Sequence, residues 1–344
     1  MRFIVNAFWT SLLLVICAQG QLISSRKPDG LILSTGNLYF MSHDAAGAAV
    51  WRTSQSSVPG QETILYWEAG AKFGDIVFAQ VNVTFFGYFF AVNAGVIAIR
   101  RVPLTGGNAI VLATITNVDV TNSHRNLVTD GVNLYWQDDV AVRKMPIGGG
   151  ASTVLDRTRP NTPTAGIVLD NGRIIYASVD DIRFVPTAGA NTDPSVRTIA
   201  KASSAVTALH VGSSGVHWGE RSGAVRVKIG PTIKTLPGPP NPTNLIATSI
   251  SSAGVSTTED RAWTRCGSQS CQLVLLVAPS GALREISADA LGVSVTAGRD
   301  VFWGDANGVH RLNHPFGHWV ATLASRDTRR YPSRCGELLQ AVSG

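Results

Sequence analysis

Charge is scarce in this chain. Of its 344 residues, 15% are Asp, Glu, Lys or Arg and 44% are hydrophobic. Disorder needs the opposite balance, so the chain is expected to fold. Its 34 glycines and 16 prolines are too few for a collagen or a low-complexity linker. No long stretch carries apolar residues at helical spacing, which points away from a helical architecture. The Gly-x-Ser-x-Gly elbow and the His-Glu-x-x-His pair are both missing, so the chain lacks those linear signatures of hydrolases. Length alone suggests two domains, but all-β barrels and propellers exceed the usual domain size as one unit.

What charge there is leans basic, at +6, and is carried by 23 Arg against 6 Lys. These groups are scattered singly along the chain, apart from Arg326, Arg329, Arg330 and Arg334 near its end. A dispersed excess favours solubility and loose attraction to acidic polymers, and no nucleic-acid partner is expected.

Met1–Gly20 places one Arg before an apolar run from Phe3 to Ala18 and ends on Ala18-Gln19-Gly20. This reads as a secretory signal peptide over 1–20, with a mature chain beginning at Gln21. Lipoprotein anchoring through Cys17 is the alternative, against which Ile16 stands where a small residue is needed. A second apolar stretch, 76–99, is long enough to span a bilayer. It contains Gln80, Asn82 and Asn93, is punctuated by Gly87 and Gly95, and is rich in Val, Phe and Ile. It therefore reads as two or three buried strands, with no stable membrane insertion after cleavage. Three cysteines survive cleavage. Cys266 and Cys271 bracket Gly267-Ser268-Gln269-Ser270 as at a hairpin tip and are expected to form a disulfide. Closing so small a loop is worth about 2 kcal/mol. Cys335 is left over, a flag in an exported protein.

An aromatic pair recurs along the chain: Leu38-Tyr39-Phe40, Tyr88-Phe89-Phe90, Leu134-Tyr135-Trp136, Ile175-Tyr176-Ala177, Val216-His217-Trp218, Arg261-Ala262-Trp263 and Val301-Phe302-Trp303. Successive copies are 50, 46, 41, 41, 45 and 40 residues apart, in the range of propeller blades. After the anchor come an alternating run such as Val140-Ala141-Val142-Arg143, a Gly-rich turn such as Gly148-Gly149-Gly150, and a short β-rich run such as Thr153-Val154-Leu155. Before it lies another apolar run, as at Ile167-Val168-Leu169. Each unit thus holds four short strands. A single sheet of this kind has two apolar faces to bury, and radial packing covers both while protecting the edges. The expectation is an all-β, seven-bladed β-propeller of four-stranded antiparallel blades over 21–325, followed by a C-terminal tail over 326–344. Because the first interval is the least regular, six blades after an irregular N-terminal segment is the alternative.

The unit Asp130-Gly131-Val132-Asn133-Leu134-Tyr135-Trp136-Gln137-Asp138, followed by Val142-Arg143-Lys144-Met145-Pro146 and its glycines, resembles the YWTD and NHL β-propeller repeats. It is also similar to the repeats of uncharacterised secreted bacterial propellers. The resemblance implies a fold, and it spans binding proteins, scaffolds and a few enzymes.

Candidate functional residues follow from the hairpins after the aromatic strand, which a propeller gathers on one face. They carry His43, Asp44, Asn93, Asp138, Asp139, Asp180, Asp181, Glu220, Arg221, Arg265 and Asp305. Loops on a rigid scaffold commonly carry binding residues, although Asp and Asn also simply suit turns. His310, His314 and His318 are spaced by four, but Pro315 and Gly317 forbid a helix that would align them for a metal. No cofactor, metal or catalytic residue is assigned. Asn82-Val83-Thr84 is a glycosylation sequon inside a strand-like run. The expected function is a secreted, monomeric, non-catalytic module binding an extracellular glycan or protein. The alternative is a lyase- or lactonase-type enzyme with a metal or His/Glu site in the central channel, for which Gly215-Val216-His217-Trp218-Gly219-Glu220 is the nearest local likeness.

Overall fold

The computed structural model describes residues 21–312, apart from residues 27, 29, 35, 116–126, 139, 159–164, 190–196, 239–245, 254–258, 267–270, 278–281, 288–291, 296–299 and 306. The expected signal peptide, the tail over 326–344, Cys17, Asp139, Cys335, His314 and His318 lie outside them. The described residues form seven four-stranded antiparallel sheets, one for each aromatic anchor. Blade 1 spans 30–69, blade 2 72–115, blade 3 127–157, blade 4 167–201, blade 5 206–235 and blade 6 246–287. Blade 7 joins 292–312 to an outer strand, Gln21–Ser24.

In blades 1 to 6 the strands pair in chain order, as Val- and aromatic-rich runs separated by tight turns dictate. The apolar stretch 76–99 falls within three strands of blade 2, Lys72–Val81, Thr84–Asn93 and Val96–Pro103. Where the third strand meets the fourth, a register shift recurs at Val50/Trp51, Ile99/Arg100, Val142/Arg143 and Ile182/Arg183. A bulge there raises the local twist, and its repetition gives blades 1 to 4 a common outer edge.

First strands of neighbouring blades touch in cyclic order, and the first strand of blade 7 meets that of blade 1, so the blades form a closed ring. Covalent order does not supply that closure. It depends on Gln21–Ser24 pairing with Gly308–Leu312, Gln21 opposite Arg311 and Leu22 opposite His310. Gly308 lets the two backbones meet: its φ is 139°, and a Cβ there would fall 1.8 Å from the carbonyl oxygen of Ser24.

The core lies between blades. Trp136 of blade 3 packs with Tyr88 and Phe90 of blade 2, and Tyr135 faces the other way onto Ile174 and Tyr176 of blade 4. Trp218 meets Ile175 and Ala177, Trp263 meets Ala208 and Val225, and Phe302 meets Leu38 and Phe40 across the closure. Each buried aromatic of this kind contributes about 2–3 kcal/mol through area removed from water. The lone basic residues have a part in the same joints. Arg52 donates to the carbonyl of Leu104 at 3.2 Å, Lys144 to that of Thr187 at 2.9 Å and Arg311 to that of Gln55 at 3.1 Å. In each case a third-strand cation reaches the turn that follows the third strand of the next blade.

Candidate functional site

In a four-stranded meander the hairpin between second and third strands opens on the same side as the link to the next blade. The described backbone shows this directly. The amides of Ala202 and Val206, in the link from blade 4 to blade 5, donate to the carbonyls of Asp180 and Val179, and Arg221 donates to Ala205. This link face gathers the hairpins that carry the expected binding residues, and the opposite face carries the turns between first and second strands.

On the link face a repeated unit appears: a Trp near the end of the second strand, an acid two residues later, and an Arg or His opposite the Trp on the third strand. Trp136 pairs with Arg143, Trp218 with Arg226 and Trp303 with His310. Asp138, 1% exposed, caps its turn by accepting from the amides of Val140 at 3.0 Å and Ala141 at 2.7 Å, and its other oxygen takes the Arg143 guanidinium. Asp305 repeats this with the amides of Asn307 and Gly308 at 2.7 and 3.2 Å and with His310 at 2.9 Å, whose ring stacks on Trp303. Glu220, wholly buried, accepts from Ser203 Oγ at 2.6 Å and Trp218 Nε1 at 3.1 Å and faces Arg226 at 2.9 Å. Burial pushes its pKa up, but these donors outweigh burial and hold it below the ordinary value.

The expected residues therefore divide. Asp138, Glu220 and Asp305 are engaged within their own blades, and Arg265 is buried against the backbone at Gly238. Asp44 caps its turn through Ala46 and Gly47 at 2.8 and 3.1 Å but stays exposed, as does His43. Asp180 and Asp181 lie 3.4 and 3.8 Å from Lys201, whose side chain is 67% exposed, and Arg221 is exposed. Asn93, half-buried, donates to Glu68 at 2.9 Å. Cys266 and Cys271 are opposite one another in the ladder and form the disulfide. His217 and Glu220, at odd spacing on one strand, point to opposite faces of blade 5 and do not converge. Among the described residues, no three His, Cys, Asp or Glu side chains gather with metal-holding geometry.

A buried polar quartet that the sequence did not announce joins blade 5 to blade 6. Ser214, His217, Glu259 and Arg261 meet there, His217 fully buried and Glu259 1% exposed. Arg261 can only donate, and it gives Nε to His217 Nε2 and Nη2 to Ser214 Oγ and to Glu259, all at 3.0 Å. His217 Nε2 is thus an acceptor, which places the ring proton on Nδ1, and the Ser214 hydroxyl donates to Glu259. Burial, with Arg261 adding and Glu259 opposing, lowers the His217 pKa to about 4. Because the serine's proton goes to the glutamate and Nε2 is occupied, the quartet is a charge-balanced joint, not a nucleophile with its base. One signal was legible: His217 stands where five of the other six units have an aromatic, and Arg261 where they have an aliphatic or aromatic residue, in consecutive units.

Neither a protein-family model nor a curated protein matches the chain. Solved structures do. The extracellular domain of a protein described as a one component system of B. thetaiotaomicron aligns with a TM-score of 0.56 at 12% identity, over 86% of this chain and 39% of that one. A chain of a mitotic checkpoint complex aligns at 0.54 and 12% identity, over 90% and 97%. The WD40 β-propeller domain of Doa1 aligns at 0.54 and 11%, over 86% and 96%. At these identities the likeness is one of fold: the chain is a β-propeller.

Proposed function

We propose that the chain is an exported, non-catalytic interaction module that binds an extracellular glycan or protein bearing acidic groups through its link face. The units are nearest in pattern to YWTD and NHL repeats. The observation that carries this reading is how charge divides on that face. Asp138 and Glu220 are buried in contacts to their own blades, while the basic side chains of Arg221 and Lys201 stand exposed. Those two carboxylates, which would repel an acidic ligand, are withdrawn, Asp44 being the exposed exception. Arg221 stands in solvent on the same rigid scaffold, and Lys201 keeps 67% of its side chain exposed beside Asp180 and Asp181.

The test is binding of the full chain to immobilised heparin, polygalacturonate, a sialylated glycoprotein and neutral dextran. Saturable, salt-sensitive binding to at least one acidic probe and none to dextran is expected. The double variant Arg221→Glu, Lys201→Glu should bind at least tenfold more weakly. Absence of binding to every acidic probe, or binding unchanged by the reversals, overturns the reading.

A further inference from the structure

We propose that Asn82 is an acceptor for an N-linked glycan, carried on the face opposite the one assigned to binding. Asn82-Val83-Thr84 is the chain's one Asn-x-Ser/Thr triplet in which x is not proline. The sequence pattern placed it inside a strand, where the ladder would hold it. The structure places it at a turn. Lys72–Val81 and Thr84–Asn93 are ten residues each, and Val81 pairs with Thr84, so Asn82 and Val83 alone make the tip of this long first hairpin.

Three features fit that tip to the modification. Asn82 is exposed and has a φ of 56°, the left-handed region that asparagine tolerates. Its backbone carbonyl is held by Gln80 Nε2 at 2.8 Å, and among the described residues its carboxamide has no hydrogen bond. Beside it Val83 is 90% and Phe85 48% exposed, two apolar side chains for which the described protein offers no cover. A glycan anchored between them lies over both, and the ring of Phe85 offers a sugar an apolar face to stack on.

In the transfer the carboxamide nitrogen of Asn82 bonds to C1 of the first N-acetylhexosamine of a polyprenyl-diphosphate-linked oligosaccharide. The C1–O bond to the donor breaks, the diphosphate leaves with its electron pair, and the amide gives up one proton. The modified tip lies on the first-to-second turn side of the ring, so the glycan leaves the link face open. The inference shares with the proposed function only the expectation of export.

The experiment is production of the full chain, residues 1–20 included, in eukaryotic cells with an active secretory pathway. Chains from the medium and from the membrane-protected fraction are treated with peptide N-glycosidase and mapped by mass spectrometry of the tryptic peptide 73–100. The expected result is a mass loss on treatment in most chains and conversion of Asn82, not Asn93, to Asp. Asn82→Gln and Thr84→Ala should each run at the size of the treated wild type. Unmodified Asn82 in chains that entered the lumen overturns this inference alone, as does a mass loss that persists in Asn82→Gln. A chain that never enters the lumen overturns the inference together with the expectation of export.

Discussion

Asp138, Glu220 and Asp305 occupy one repeat position, two residues after a Trp, and the chemistry that suits a carboxylate to binding also suits it to a turn. Burial decides which use prevails. With Asp138 at 1% exposure, removing it leaves two turn amides and the Arg143 guanidinium without their acceptor. Asp138→Ala should lower the unfolding free energy by about 2–4 kcal/mol. Asp44→Ala, at an exposed version of the same cap, should cost about 0.5–1 kcal/mol. Denaturant titrations of the two variants check the contrast, and equal costs would contradict it.

The position of these acids was legible in the sequence, but their role was not. Nothing in a linear pattern says that Arg143 or Arg226 lies across the ladder from the neighbouring Trp. His217 and Arg261 were visible as departures from the aromatic pattern, whereas Glu259 carried no signal because two of the groups it meets, Ser214 and His217, come from the preceding blade. His217 also sets a pH dependence. Its folded pKa of about 4 lies below the ordinary 6.5, so the folded state binds fewer protons between those values. Its contribution is complete above 6.5 and is lost as pH falls toward 4, which amounts to about 3 kcal/mol. In His217→Phe, the residue type of Phe89 and Phe302 at the same repeat position, the unfolding free energy should fall less steeply over that window. An unchanged slope would place the titration elsewhere.

At the scale of elements, the strands were readable because Val, Ile and aromatic residues alternate with turn residues, and the third strands of blades 2 to 4 end at Pro103, Pro146 and Pro186, where the Gly-rich turns begin. The ring closure was not readable. Gln21–Ser24 is one short strand separated from Gly308–Leu312 by nearly the whole chain, and only pairing geometry connects them. Gly308→Ala places a methyl where Ser24 already sits. It should cost about 2 kcal/mol or more and raise amide exchange in 21–24 and 308–312 before other strands. Uniform exchange across all blades would show that closure is not local. By contrast, the Cys266–Cys271 bond closes only a short hairpin, so Cys266→Ser with Cys271→Ser should cost about 2 kcal/mol and leave the ring closed.

For the whole molecule, the low charge and the high apolar fraction follow from a ring in which every blade is covered on both faces. Several of the scattered cations are explained in the same way, since Arg52, Lys144 and Arg311 each bind the next blade's backbone. Those cations are therefore unavailable to a ligand, and the basic groups that matter for binding reduce to exposed ones such as Arg221 and Lys201. The most direct measurement is titration of an acidic polysaccharide into the full chain and into Arg221→Glu, Lys201→Glu, with thermal unfolding of both recorded alongside. A loss of affinity of at least tenfold with little change in the unfolding midpoint is expected. Equal affinity in the two proteins, or no binding by either, would contradict it.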